Sequence, residues 1–142
     1  MAVVSRSVIA FKMDIKKGPK ILLVEDDEYV SKAYSFFLCS AGFDSRLVMD
    51  GAETLKAALE FKPKLILLDL ILPHMNGFEI LGQLKKNSNL KHIPVIIISN
   101  LCQESDIRKA KRLGAVDFLV KSDCSMDQVI AKIKDVLPAK DS

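Results

Sequence analysis

The chain has 142 residues, 49% of them hydrophobic, with 21 Lys and Arg against 18 Asp and Glu for a net charge of +3. That length and apolar content suit one domain with a real core and argue against a disordered chain. The charge is too mild to call for nucleic acid, no apolar stretch approaches the roughly 20 residues that span a bilayer, and three cysteines without a C-x-x-C fit a reducing, cytoplasmic setting rather than a disulfide or zinc framework.

Residues 1–18 read as an N-terminal extension. Met1 to Ala10 holds one Arg and lacks the charged start and long apolar centre of a secretory signal. Met13 opens a more usual lead-in, so residues 1–12 are expected to be disordered or to reflect an upstream start site. The domain is placed at 19–138, with 139–142 as a short tail.

A first strand is predicted at 21–24, Ile21-Leu22-Leu23-Val24, running into Glu25-Asp26-Asp27. Asp27 fits the N-cap of a helix whose stripe is Val30, Ala33, Tyr34, Phe37, Leu38 and Ala41, ended by Gly42. A more polar second strand at 45–49 suits a sheet edge. Ala52, Leu55, Ala58 and Leu59 mark a second helix, stopped before Pro63. The run Leu65-Ile66-Leu67-Leu68 reads as a strand buried on both faces, and Asp69 ends it. Phe78, Leu81 and Leu84 belong to a third helix. A fourth strand at 95–98 leads to Ser99, and Ile107, Ala110 and Leu113 to a helix ended by Gly114. A fifth strand at 116–120 leads to Lys121, and Met126, Val129, Ile130, Ile133, Val136 and Leu137 form the last helix.

Five strand–helix units with near-continuous apolar strands predict an α/β fold. It is a three-layer α/β/α sandwich on a five-stranded parallel sheet of order 2-1-3-4-5, flavodoxin-like, with its switch point between strands 1 and 3. That topology gathers Glu25, Asp26, Asp69, Ser99 and Lys121 at the C-terminal edge of the sheet. Three carboxylates repel one another unless a cation compensates. Mg²⁺ suits them, because it takes one or two carboxylates together with waters and phosphate oxygens. A carboxylate beside Mg²⁺ can attack phosphorus to give an aspartyl phosphate. Lys121 would then pair with one phosphate oxygen and the Ser99 hydroxyl with another. A Mg²⁺-dependent phosphohydrolase uses a similar set, but it wants a second acid two residues past the nucleophile, where this chain has Ile71.

The stretches from Ile21 to Glu28, Leu68 to Gly77 and Gly114 to Lys121 resemble, in order and spacing, the receiver domain of two-component response regulators, CheY-like, over residues 20–137. The resemblance implies a stand-alone phosphoryl-accepting switch rather than an enzyme. Asp69 would be the phosphoacceptor, charged by a histidine kinase or a histidine phosphotransfer protein. Glu25 (through water), Asp26, Asp69 and the backbone carbonyl of Ile71 would form the Mg²⁺ shell. Lys121 would pair with the phosphate, Ser99 would be the switch hydroxyl and Phe118 the aromatic switch. Its ring would turn inward and remodel the face of the fourth helix, fifth strand and fifth helix, which would meet an unknown downstream protein or a second copy of the chain. No membrane partner is expected.

Three departures stand out. Asn100 replaces a small residue and narrows access to the phosphate. Ser122 replaces a proline on a cis bond. Ile71 and Leu101 occupy the positions that tune phosphate lifetime, and neither can orient an attacking water, so slow dephosphorylation is expected. A pseudo-receiver that keeps the fold and only binds a partner is the alternative reading. His74 and His92 read as solvated loop residues, Cys102 and Cys124 as incidental thiols, and Asp117 as a polar position on the last strand. Arg108-Lys109-Ala110-Lys111-Arg112 reads as a solvated or partner-docking helix face.

Overall fold

The computed structural model describes residues 18–137. Apart from Gly18, the expected extension and the expected tail at 139–142 lie outside the described residues. In chain order the elements are β1 (Lys20–Val24), α1 (Glu28–Ser40), β2 (Asp44–Val48), a 3-10 turn (Gly51–Glu53) leading into α2 (Thr54–Phe61), and β3 (Leu65–Leu68). There follow α3 (Gly77–Lys86), β4 (Val95–Ser99), α4 (Glu104–Arg112), β5 (Asp117–Val120), a 3-10 turn (Lys121–Asp123) and α5 (Met126–Val136). All five strands are parallel, in the order β2-β1-β3-β4-β5 that the sequence predicts.

Strand alternation divides the core in two. Leu22, Val24, Ile66, Leu68, Val95 and Ile97 point to one side and pack with Ala58 of α2, Leu81 of α3 and Ala110 of α4. Ile21, Leu23, Leu65, Leu67, Ile96 and Ile98 point to the other and pack with Leu38 of α1 and Ile133 of α5. With both faces covered, β1, β3 and β4 have no solvent side, which is why they read as unbroken apolar runs. Each fully buried Leu or Ile stabilises the fold by about 1.5–3 kcal/mol. Among the described residues no helix is long and apolar enough to cross a membrane.

The structure corrects several predicted details. β2 begins one residue early, at Asp44, and leaves Met49 outside; β5 starts at Asp117 and leaves Val116 outside. The inward side of α1 is Ser31, Tyr34 and Leu38, while Ala33 is exposed and Phe37 is 41% exposed. In α2, Thr54 and Ala57 take inward places and Leu59 faces solvent. A helix with apolar residues on more than one side has no single inward face that periodicity can identify. Ser31 can be buried because its hydroxyl donates to the Glu28 carbonyl at 2.9 Å, which satisfies it inside the helix.

Caps set where helices begin. Asp27 accepts the Val30 N–H at 2.9 Å, as its N-cap assignment requires, and Asn76 accepts the Phe78 N–H at 2.7 Å. Ser125 and Gln128 form a capping box that fixes the start of α5 directly after the Lys121 turn. Gly114 ends α4 with a φ of +112°, a conformation that favours glycine.

Candidate functional site

The sheet itself aims the acidic residues. The N–H of Glu25 donates to the Val48 carbonyl at 3.0 Å, and that of Asp69 to the Val24 carbonyl at 3.1 Å. Ladder bonding therefore continues one residue past each strand end and holds both carboxylates at the C-terminal edge between β1 and β3. One carboxylate oxygen from each of Glu25, Asp26 and Asp69 lies within 4.8 Å of the others. Glu25 is 2% and Asp69 5% exposed, while Asp26 faces solvent.

Lys121 reaches into this cluster from the end of β5. Its Nζ donates to Asp69 Oδ2 at 2.9 Å and also to Glu25 Oε1. The remaining oxygens are taken by backbone: Glu25 Oε2 accepts the Asp27 N–H at 3.0 Å, and Asp69 Oδ1 accepts the Ile71 N–H at 3.2 Å. Burial pushes the Glu25 carboxyl above its ordinary value, against the pull of Lys121 and the Asp27 N–H. Burial works to lower the Lys121 ammonium, but its bonds to Glu25 and Asp69 outweigh that and hold it above the ordinary lysine value. Burial also pushes the Tyr34 phenol, on α1 beneath the site, up to about 12.

The phosphate-handling candidates sit on adjacent turns. Ser99 ends β4 fully buried, and its Oγ accepts the Leu101 N–H at 3.1 Å, turning the chain out of the sheet. Asn100 Oδ1 accepts the Ser122 N–H at 2.9 Å. Every described peptide bond is trans, including that between Lys121 and Ser122. Phe118 is 9% exposed and packs in the cluster on the α4 side of the sheet. Ile71 is 59% exposed on the loop beyond Asp69, and Leu101 packs partly against the same cluster as Phe118.

The structure thus brings Glu25, Asp26, Asp69 and Lys121 into one constellation and places Ser99 on the neighbouring strand end. The three carboxylates offer oxygen only, clustered and largely sheltered, which fits a hard divalent ion. His74 and His92 are exposed, as is Cys102, and Cys124 is half-buried. The basic residues of α4 face solvent, with Lys109 over the Phe78 ring at 4.5 Å. Asp117 does more than hold a polar position: it pairs with Lys132 at 3.0 Å and so ties β5 to α5. The sequence reading missed that pair, the double engagement of Lys121 and the Asn100–Ser122 bond. The only signal for the last was the coincidence of two atypical residues after neighbouring strands.

Residues 21–134 match the sequence profile of the response regulator receiver domain. The DNA-binding dual master transcriptional regulator RpaA of Synechocystis sp. is 32% identical over 123 residues, covering 87% of this chain and 51% of that protein. The chain spans about half the length of the curated relatives it matches. Among solved structures, the chemotaxis protein CheY4 of Vibrio cholerae is similar with a TM-score of 0.79 at 26% identity, covering 84% of this chain and 99% of that one. The Mn²⁺-bound form of the response regulator Rcp1 has a TM-score of 0.70 at 31% identity, covering 85% and 99%.

Proposed function

Because the chain belongs to the response regulator receiver domain family, whose members are phosphoacceptors rather than turnover enzymes, we propose that Asp69 is its phosphorylation site and that the domain is a phosphoryl-accepting switch. The observation that carries this reading is Lys121, whose ammonium bridges Asp69 and Glu25 where a phosphoryl group on Asp69 would lie. A histidine kinase or histidine phosphotransfer protein would be the donor. An Asp69 oxygen attacks phosphorus, the new O–P bond forms as the P–N bond of the phosphohistidine breaks, and the imidazole leaves and takes up a proton. Glu25, Asp26 and Asp69, with the backbone carbonyl of Ile71, would hold Mg²⁺, which when bound neutralises charge on the transferring group. Lys121 then exchanges a carboxylate partner for a phosphate oxygen, and the Ser99 hydroxyl donates to another.

The added charge biases a two-state arrangement of the turn after β4. Movement of Ser99 toward the phosphoryl group, with Phe118 in the core cluster that Leu101 of that turn packs against, would alter the α4-β5-α5 face. That face would signal to a partner protein or to a second copy of the chain, in the cytoplasm.

The test is intact-mass measurement after incubation with acetyl phosphate and Mg²⁺. A Mg²⁺-dependent gain of one phosphoryl group, absent in Asp69→Asn, is expected. No adduct would point to a pseudo-receiver, and steady turnover of phosphomonoesters to a hydrolase. The same material reports phosphate lifetime. Exposed Ile71 and half-buried Leu101 offer no group to orient an attacking water, so the phosphorylated form should persist for minutes or longer. A half-life of seconds would overturn that expectation.

A further inference from the structure

The turns after β4 and β5 are joined by one side-chain bond, from the Ser122 N–H to Asn100 Oδ1 at 2.9 Å. That N–H belongs to the peptide unit linking Lys121 to Ser122, so the bond sets the plane in which the backbone leaves Lys121. The 3-10 turn that begins at Lys121 has no side-chain cap of its own. The two partners are also two of the positions where this chain departs from the receiver pattern, and the bond needs both departures. A proline at 122 would have no N–H to give, and an alanine or glycine at 100 would have no side-chain acceptor to offer. Ser99 and Lys121, the two groups assigned to the phosphate, adjoin the ends of this strut.

We propose that Asn100 is a positioning residue: through the Ser122 N–H it holds the turn after β5 so that Lys121 reaches both Asp69 and Glu25, and it couples movement of Ser99 to movement of Lys121. The activity consequence rests on the reading of Asp69 as phosphoacceptor; the strut itself does not. Geometry explains why a surface bond matters here. Misplacing a reacting or charge-pairing group by about 1 Å can cost on the order of 100-fold in rate, and Lys121 spans two acceptors at once.

The experiment compares wild type, Asn100→Ala and Asn100→Asp by amide hydrogen exchange at Ser122, by the rate of phosphorylation from acetyl phosphate with Mg²⁺, and by thermal melting. Asn100→Ala should melt close to wild type, since the residue is exposed. Its Ser122 amide should exchange about tenfold faster, matching the loss of one hydrogen bond, and its phosphorylation should slow by about tenfold. Asn100→Asp keeps an acceptor at the same place and should restore slow exchange. Unchanged Ser122 exchange in Asn100→Ala would overturn the proposal. So would faster phosphorylation, which is the result expected if Asn100 only narrows access to Asp69. If wild type takes no phosphoryl group, the phosphoacceptor reading fails while the exchange comparison still decides the strut.

Discussion

Replacing Lys121 by methionine is expected to cost the fold about 3 kcal/mol at pH 7, and part of that loss should return as the pH is lowered toward 5. Methionine has nearly the length of lysine, so the apolar stem is retained and the change is chiefly loss of charge. Lys121 pairs with Glu25 and Asp69, whose side chains are almost wholly buried. Removing it leaves two neighbouring carboxylates with no cation, the case in which breaking a buried pair is most destabilising. The sign of the pH dependence follows from Glu25, whose folded-state value burial already raises. A carboxyl with a raised folded value binds more protons folded than unfolded, so its contribution is present at low pH and is lost as pH rises. Without Lys121 only the Asp27 N–H still opposes that behaviour. Urea unfolding at pH 5 and pH 7 checks it, with Mg²⁺ as a third condition. Binding to the folded state alone at about 100 times its Kd would return about 2.7 kcal/mol. An equal loss at both pH values, unmoved by Mg²⁺, would make the effect one of packing rather than charge.

Two glycines of α3 should respond to alanine in opposite directions. A Cβ on Gly77 would lie 2.5 Å from Leu70 Cα and 2.6 Å from the Asp69 carbonyl oxygen. Both are backbone atoms that cannot swing aside. The Gly77 N–H also donates to the Leu70 carbonyl at 3.0 Å, so the start of α3 is clamped on the loop that carries Asp69. Gly77→Ala should therefore cost about 3 kcal/mol, the upper end of overpacking. Because relief comes from moving the Asp69 loop, phosphorylation should fall by on the order of 100-fold. Gly82, five residues along the same helix, meets nothing within 4 Å. Gly82→Ala should stabilise by about 0.5–1 kcal/mol through helix propensity and leave phosphorylation near wild type. Thermal melting and the acetyl phosphate time course measure both. Equal effects at the two positions would show that the close approach at Gly77 is not the cause.

The departures from the receiver pattern show how far local reading reaches. Asn100 and Ser122 stand out singly in the sequence, one as bulk near the phosphate and one as a missing proline. Only the folded chain shows that they are two ends of one hydrogen bond, because 22 positions separate them. Phe37 illustrates the same limit on a helix. It falls on an apolar stripe by spacing, yet the sheet takes Tyr34 and Leu38 and turns Phe37 partly to solvent.

By itself the sequence determined the five strand–helix units, the parallel sheet and its order, and the strand ends that carry Glu25, Asp26, Asp69, Ser99 and Lys121. The order follows from right-handed crossovers between parallel strands; the units and strand ends are local matters. Where an apolar run stops is where a buried strand must meet solvent, and the hydrophobic period distinguishes strand from helix within a short window. The tertiary structure decided which side of each helix goes inward, that Lys121 joins Glu25 and Asp69 across 96 and 52 positions of chain, and that Asn100 grips the peptide beyond Lys121. Such bonds form only when turns from separate strands stand within about 3 Å of one another, and that placement is set by the packing of the whole sheet rather than by any residue's neighbours in sequence.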